Sequence, residues 1–288
     1  MMASSRVSAN IGILYIVATP IGNLADLSSR AVEVLGSVDR VAAEDTRHSG
    51  KLMQYCSIQT PMLALHEHNE RKLAPRLVED MLEGRSIALI SDAGTPLISD
   101  PGFNLVRLAR EAGVQVVPVP GPSALICALS ASGLPTDRFV FEGFLPAKSP
   151  ARRNRLEQLC GETRSLVFFE SSHRIVDCLQ DCQAVFGAQR QAVVARELTK
   201  QFETIHSDTL GRLAQWVSDD PNQQKGEIVL LVQGQAETES HQVSPEAERI
   251  LLVLLEELPI KKAAKLAARI TGVNKRALYE RALRSKET

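Results

Sequence analysis

Aromatic residues are scarce in this chain of 288 residues, which has one Trp, three Tyr and eight Phe. With so few rings, we expect stacking of nucleic-acid bases on aromatic side chains to be minor. Long hydrophobic runs are missing too, since no purely apolar run exceeds six residues, as in Ile250 to Leu255. A membrane-spanning helix needs about 20 apolar residues, and residues 1–10 lack the apolar core of a signal peptide. We therefore expect a cytoplasmic protein with no membrane partner.

Patterns typical of disulfides and metal sites are weak as well. The five cysteines are an odd, scattered set in which only Cys178 and Cys182 have helical spacing, and no second pair completes a zinc site. We expect reduced thiols. His66 and His68 lie two residues apart, as metal ligands on a strand can, but the neighbouring sequence supplies no evident third ligand. The sequence therefore predicts no metal site.

Positive and negative residues nearly balance over the whole chain, which has a formal net charge of −1. This balance argues against a generic nucleic-acid binder. The distribution is uneven, however. Residues 259–288 contain nine Lys or Arg and two Glu, so they carry +7 and leave −8 on the rest of the chain. The sequence thus predicts a basic module attached to an acidic body.

Strands and helices alternate in the first part of the chain. This alternation favours a mostly parallel sheet with helices on both faces, an α/β domain. The predicted strands are residues 13–18, 38–43, 86–90 and 114–119, and the predicted helices are 28–35, 73–82, 103–111 and 124–132.

A boundary at residues 133–149, where prolines flank a short aromatic strand at 139–144, leads into a second α/β region whose closely spaced strands favour antiparallel pairing. The predicted strands are residues 139–144, 166–169, 192–196, 204–206 and 227–232, and the predicted helices are 151–159, 174–186 and 210–217. A polar linker at 233–244 leads to three helices at 246–258, 260–270 and 274–284. The last two flank Thr271-Gly272-Val273, which predicts a helix-turn-helix. The expected domains are 12–133, 134–234 and a helical basic extension, 245–288.

Three loops follow strands of the first domain, at residues 19–23, 91–102 and 120–124. The second loop, SDAGTPLISDPG, contains two Ser-Asp-x-Gly turns stiffened by Pro96 and Pro101. Since open parallel sheets bind ligands beyond the carboxyl ends of their strands, we expect these loops to form one cleft. No Lys occurs between Ser86 and Arg107, and no Gly-x-Gly-x-x-Gly follows the first strand. Neither a triphosphate nor a dinucleotide is therefore the expected ligand.

Eight motifs carry a resemblance to one enzyme family. They are YIVATPIGNLADLSSRA (15–31), AEDTR (43–47), SDAGTPLISDPG (91–102), VPGPSA (119–124), EGFLP (142–146), FFESSHR (168–174), RELTKQFE (196–203) and GEIVL (226–230). In order and number they resemble the ribosomal RNA small subunit methyltransferase I family, within the tetrapyrrole methylase superfamily, over about residues 12–232. The helical tail is similar to that family's helix-turn-helix extension.

The resemblance implies a two-domain class III methyltransferase fold, a homodimer, and S-adenosyl-L-methionine (SAM) as cofactor. It also implies 2′-O-methylation of a cytidine ribose in 16S rRNA, at the decoding centre of the small ribosomal subunit. Relatives that modify tetrapyrroles carry Gly-Asp-Pro where this chain has Asp-Ala-Gly-Thr-Pro. The cofactor-binding residues implied by the resemblance are Pro20, Gly22, Asp92, Ala93, Gly94, Thr95, Ile98, Gly121, Ser123, Ala124, Phe169, Glu170, Leu198 and Ile228.

A ribose hydroxyl is a poor nucleophile until its proton leaves, so this reaction requires a general base. We favour Asp100, because Pro101 and Gly102 hold it at the end of a cleft loop. For each single candidate, a helix cap or a surface ion pair is an alternative role. The other candidates are Glu44, Asp45, His66, His68 and Glu170.

Two basic clusters are candidates for phosphate contacts with RNA. In the first cluster a solvated helix face is an equally good interpretation, whereas the charge of the tail favours nucleic-acid contact. The first cluster is Lys148, Arg152, Arg153 and Arg155, and the tail contributes Lys261, Lys262, Lys265, Arg269, Lys275 and Arg276, followed by Arg281 and Arg284.

Two other functions stay open at this point. A small-molecule methyltransferase acting on a tetrapyrrole would share the cleft and the cofactor but would need no basic tail. A ligand-sensing DNA-binding regulator would use the helix-turn-helix, yet it would leave the second α/β domain unexplained.

Overall fold

The computed structural model describes residues 11–236 and 245–284, so part of the predicted linker and both chain ends lie outside the described residues. The described residues form two compact units. The first holds the residues up to Cys160 together with Arg164–Gln233, and the second holds Gly161–Thr163 with the described residues from Gly234 onward. None of the described helices combines the length and apolar character that a membrane crossing requires.

The first sheet has five parallel strands in the order β3-β2-β4-β1-β5, which confirms the predicted parallel α/β architecture. Its elements and the helix that follows it are β1 (Ile13–Val17), α1 (Ser29–Ser37), β2 (Arg40–Ala43), α2 (Thr46–Tyr55), β3 (Met62–Ala64), α3 (Glu70–Leu82), β4 (Ile87–Ile90), α4 (Phe103–Glu111), β5 (Gln115–Val119) and α5 (Ala124–Ser132).

Helices cover both faces of this sheet, as the alternation of strands and helices predicts. In the central strand β4, Ile87 and Leu89 pack with residues of α3 and α4. Ala88 and Ile90 point to the other face, where they pack with residues of α1 and α2. Burial on both faces explains why β4 is apolar at every position.

The sequence patterns miss α2 and β3. In α2, only Leu52 and Met53 are buried apolar residues in a segment of ten, so its apolar periodicity is weak. The usable signal is Asp45, whose carboxylate accepts a hydrogen bond from the Arg47 amide and caps the helix. Strand β3 has only three residues, too few for the alternation of apolar and polar residues that identifies a strand.

The second sheet has the order β6-β7-β10-β8-β9, in which only β6 and β7 are parallel. The other pairs are antiparallel, as the close strand spacing predicts. Its elements are β6 (Phe139–Phe144), α6 (Ser149–Gln158), β7 (Ser165–Ser171), α7 (Ile175–Phe186), β8 (Gln191–Arg196), β9 (Thr204–Thr209), α8 (Leu210–Asp219) and β10 (Glu227–Val232).

Helix α5 follows the first sheet in the chain but packs on the second. Its residues Leu125, Ala128 and Leu129 share a core with Val193 of β8 and Leu231 of β10. The opposite face of the second sheet packs against α6, α7 and α8. The turn from β5 into α5 therefore brings loops of the first sheet next to the second.

The second unit contains α9 (Pro245–Glu257), α10 (Ile260–Thr271) and α11 (Lys275–Arg284) around one small core. Ala263, Ala264 and Ala267 of α10 are fully buried, and small side chains let helices approach closely. Gly272 ends α10 in the left-handed conformation, with φ of 73°. This arrangement confirms the predicted helix-turn-helix.

Candidate active site

Main-chain hydrogen bonds join the three predicted cleft loops. The Thr19 amide donates to the Gly94 carbonyl (2.9 Å), and the Gly94 amide donates to the Thr19 carbonyl (3.1 Å). The Thr95 hydroxyl donates to the carbonyl of Pro122 (3.0 Å), which links the second loop to the third. The loops therefore meet at one edge of the sheet, as their positions after β1, β4 and β5 predict.

Two positions in the second loop require glycine. Gly94 has φ of 83°, and a Cβ there would lie 3.3 Å from the Ile21 side chain. Gly102 has φ of 125°, and a Cβ there would lie 2.6 Å from Leu89 Cδ2. Left-handed backbone conformations are costly for residues with a Cβ. The repeated Asp-x-Gly turn thus folds the loop tightly against β4.

A cavity of about 570 Å³ lies beside these loops and extends to the second sheet. Most of the predicted cofactor-binding residues line it, and so does Asp100. These are Asp92, Ala93, Gly94, Thr95, Ile98, Asp100, Ser123, Ala124, Phe169, Glu170, Leu198 and Ile228.

Pro20, Gly22 and Gly121 are not among the residues that line the cavity. Gly22 lies against the Lys200 side chain, and a Cβ on Gly121 would lie 3.0 Å from that of Ala18. Both glycines thus permit close packing beside the site. Contact of these three residues with a ligand stays a prediction.

The structure adds cavity residues that sequence reasoning did not assign to it. Val229 pairs with Phe169 on one neighbouring strand and with Ala195 on the other, so the three lie side by side on one face of the second sheet. Strand alternation could have found Ala195 and Val229. The remaining additions are Ile21, Ser99, Phe144, Ser171, Ser172 and His173. Glu44, a base candidate from the sequence, and the start of β10 at Gly226 and Glu227 also line the cavity.

The cavity wall is acidic, and no Lys or Arg occurs among the described residues that line it. Two of its five carboxylates have cationic partners: Glu170 accepts from Arg174 (3.0 Å), and Glu227 accepts from Lys200 (2.9 Å). The other three, on Glu44, Asp92 and Asp100, form no ion pair within the described part of the chain. They give this part of the cavity a negative potential.

The pKa of the Asp100 carboxyl is unusually high for an aspartate. Burial raises its pKa to about 6, helped by the negative charges of Glu44 and Asp92 and opposed by the Ser91 hydroxyl. Burial also raises the pKa of Glu44. Asp92 instead accepts a hydrogen bond from the Asp45 amide (3.1 Å), which ties the loop to the start of α2.

The other base candidates have different surroundings. Asp45 caps α2, and its hydrogen bonds to Arg47 hold its pKa well below the usual range. His66 and His68 contact each other edge to face and do not line the cavity. No group of three His, Cys, Asp or Glu side chains suited to hold a metal ion occurs within residues 11–236 and 245–284. Asp100 and Glu44 are thus the base candidates that line the cavity and form no ion pair within the described residues.

The structure contradicts the predicted RNA contact of Arg152. This side chain is buried, with 1% of its surface exposed, and its Nε donates to Asp181 Oδ2 at 2.7 Å. Arg153 donates to the same carboxylate, and Arg155 donates to Glu142. Lys148 is exposed, with no acidic partner in the described residues. The first basic cluster is therefore largely a set of ion pairs.

Cations of the second unit are more accessible. Arg276 pairs with Glu280, and Arg281 pairs with Glu248. Five other tail residues predicted to contact RNA are exposed and have no acidic partner in the described part of this unit. They are Lys261, Lys262, Lys265, Arg269 and Lys275.

Comparison with known proteins matches both units to families. Residues 13–214 match the family of tetrapyrrole (corrin/porphyrin) methylases, and residues 241–286 match the RsmI C-terminal HTH domain. The proteins named ribosomal RNA small subunit methyltransferase I from Pseudomonas aeruginosa and Haemophilus influenzae are 58% and 56% identical to this chain. The alignments cover 94% and 93% of this chain and 97% and 95% of those relatives.

Solved structures agree in fold. Diphthine synthase superposes with a TM-score of 0.60 at 17% identity, covering 78% of this chain and 91% of that one. Uroporphyrin-III C-methyl transferase from Thermus thermophilus, complexed with S-adenosyl homocysteine, superposes with a TM-score of 0.55 at 15% identity, covering 78% and 98%. The family match and the sequence identity of the relatives together show that the chain belongs to the tetrapyrrole methylases and, among them, to the ribosomal RNA small subunit methyltransferase I family.

Proposed function

We propose that this methyltransferase transfers a methyl group from SAM to the 2′-hydroxyl of a cytidine ribose in 16S rRNA, at the decoding centre of the small ribosomal subunit. The observation that carries the proposal is the cavity, where Glu44, Asp92 and Asp100 have no cationic partner among the described residues and lie beside glycine-containing loops. The ribosomal RNA substrate is proposed from the names of the relatives.

The cavity fits the cofactor chemically. SAM carries a positive sulfonium and no phosphate. The described part of the cavity wall has three carboxylates without ion pairs and no Lys or Arg, which suits such a ligand. Gly94 keeps main-chain groups at the wall, since any side chain there would meet Ile21. Phe169 and Leu198 supply apolar surface from the second sheet. When bound, SAM supplies an electrophilic methyl group.

Asp100 is the proposed general base. Its pKa of about 6 leaves it mostly ionised at neutral pH and yet more basic than an exposed aspartate. A base with a pKa near the working pH is the most effective kind. The carboxylate would accept the ribose hydroxyl proton as the oxygen attacks, and its negative neighbours would favour that transfer. The rest of the rate would come from alignment of the reacting groups.

RNA would be held outside the acidic cavity, by the accessible cations of the second unit and by Lys148. From the family resemblance we also propose a homodimer that works in the cytoplasm. Sedimentation of the purified protein at micromolar concentration tests the dimer, and a monomer there would contradict it.

The decisive experiment is transfer of labelled methyl from SAM to small ribosomal subunits that lack this modification, followed by mapping of the modified nucleotide. We expect one labelled ribose in 16S rRNA and none in large subunits. Label on a base, on a ribosomal protein or only on an added tetrapyrrole would overturn the proposal. Specific duplex DNA binding without methyl transfer would instead favour a regulator.

Replacing Gly94 with alanine tests the cofactor wall. We expect SAM affinity to fall about tenfold. An alanine in the left-handed conformation costs ~1–2 kcal/mol, and residue 94 lies in the cavity wall, where its main chain is hydrogen-bonded to Thr19. Calorimetry measures the affinity. Gly113→Ala is the matched control, since Gly113 has φ of 79° and open space around it. Equal SAM affinities for the two variants would contradict the assigned role of Gly94.

Neutralising Lys261, Lys262 and Lys265 with glutamine tests the basic unit. Each phosphate contact contributes about 0.7 to 0.9 to the slope of log affinity against log salt. We therefore expect the slope for binding to small subunits to fall by about two, with SAM affinity unchanged. The control neutralises three exposed cations of α3, Arg71, Lys72 and Arg76. A similar loss in both variants would point to net charge rather than to this unit.

A further inference from the structure

Three phenylalanines meet at the cavity. The ring of Phe169 contacts those of Phe141 and Phe144 edge to face, with centroids 4.8 and 5.7 Å apart. Phe169 and Phe144 line the cavity, and Phe144 keeps 56% of its surface exposed. Three of the eight phenylalanines of a ring-poor chain thus cluster at this site. An exposed ring held by a second ring is a ready-made stacking surface.

A β-bulge sets the direction of Phe144. Phe141 pairs with Val167 and Phe144 pairs with Phe169, so three residues of β6 span two of β7, with the irregularity between Phe141 and Gly143. By strict alternation, residues 141 and 144 would point to opposite faces of the sheet. The extra residue brings both to the cavity side, and bulges commonly re-aim side chains next to active sites.

The bulge is fixed on both sides. Glu142, the extra residue, accepts hydrogen bonds from Arg155 of α6 at 2.7 and 2.9 Å. Gly143 has φ of 63°, and a Cβ there would lie 3.3 Å from the hydroxyl of Ser99. Ser99 precedes Asp100, so the bulge packs against the loop that carries the proposed base. Phe144 is therefore held in the wall of the cavity that Asp100 also lines.

We propose that Phe144 stacks on the base of the target nucleotide and so positions its ribose at Asp100. The inference rests on the proposed function, since it concerns the same RNA substrate. Sequence-specific recognition of folded RNA targets unstacked bases, and an aromatic side chain replaces the lost stacking neighbour. Within residues 11–236 and 245–284, no Lys or Arg lines the cavity, so the face of a base suits this surface better than a phosphate.

The test compares Phe144→Ala, Phe144→Leu and Phe144→Trp in the full-length protein. Loss of one base–aromatic stack predicts a fall in kcat/KM for small subunits of about 10-fold to 100-fold in the alanine variant. We expect Trp to retain most of the activity and Leu to lie between them, because Leu keeps the apolar volume without the ring face. SAM affinity should stay unchanged in all three. Tyr55→Ala removes a ring that is 63% exposed and outside the cavity, and should act as wild type.

A second readout follows the base itself. With a fluorescent cytidine analogue at the target position of the RNA, binding of the wild-type protein should quench the fluorescence, and the alanine variant should quench much less. Wild-type turnover in Phe144→Ala would overturn the stacking role, and so would a tenfold loss of SAM affinity, which would assign Phe144 to the cofactor wall. Failure of the wild-type protein to methylate small subunits would instead overturn the proposed function.

Discussion

Replacing Asp100 with asparagine is expected to lower kcat by about 10²-fold to 10⁴-fold, the usual contribution of a general base. Asparagine has the same shape but cannot take the hydroxyl proton. Because the carboxylate is one of several groups around the cavity, SAM affinity should change by no more than about threefold. Single-turnover methylation of small subunits measures the first effect, and calorimetry measures the second. Full turnover in Asp100→Asn would remove the assigned role.

The pH profile separates a base from a binding residue. Only ionised Asp100 accepts the proton, and its pKa is raised to about 6. Wild-type kcat should therefore decline below pH 6, by tenfold for each further pH unit. The residual kcat of the asparagine variant should not show this acidic limb of the pH profile. Glu44→Gln is the informative companion, because loss of its negative charge lowers the pKa of Asp100 and moves the limb to lower pH. An unmoved limb would contradict this coupling.

Asp181→Ala should destabilise the protein by about 3–5 kcal/mol, the typical cost of leaving a buried charge without its partner. Asp181 and Arg152 are almost fully buried, with Ser149 also donating to the carboxylate. Burial raises the pKa of Asp181, but the hydrogen bonds from Arg153, Arg152 and Ser149 outweigh it, so the pKa is lowered. This stabilisation is present above the ordinary pKa of an aspartate and is lost as the pH falls through the lowered one. Urea unfolding at pH 7 measures the difference.

Two companion variants make that result specific. Arg153 is half exposed, so Arg153→Ala should cost no more than about 1 kcal/mol. The double variant Arg152→Met with Asp181→Leu removes both buried charges and should recover most of the stability. It should also bind small subunits as the wild type does, since Arg152 does not reach solvent. A destabilisation below 1 kcal/mol in Asp181→Ala, or weak RNA binding by the double variant, would contradict the structural role.

Much of the fold and of the cavity could be predicted from the sequence, because both follow from local rules. Apolar strands such as Ile87–Ile90 are typical of the centre of a sheet that is covered on both faces, and the loops that follow parallel strands meet at one edge of the sheet. The α5 helix shows the limit of this reasoning. Its apolar residues predict a helix but do not indicate which of two sheets it covers.

Long-range pairing explains the errors. Arg152 lies in a basic helix, and its partner is 29 residues away, where no spacing rule connects them. A local signal did exist, since Leu156 lies four residues after Arg152 on the same buried side. For Phe144, the alternation of the strand indicates the wrong face, because the bulge depends on Arg155 and Ser99 rather than on β6 alone. The low aromatic content of the chain does not indicate where its few rings lie in the fold.

The placement of α5 makes the two sheets mutually dependent. The helix is covalently an appendage of the first sheet, yet Leu125 and Leu129 complete the interior of the second. A chain cut after residue 133 would leave a bare apolar helix on one fragment and an uncovered sheet on the other. Thermal unfolding of either sheet should therefore destroy the cavity. Any molecule that binds in the cavity should raise the melting temperature of both sheets together.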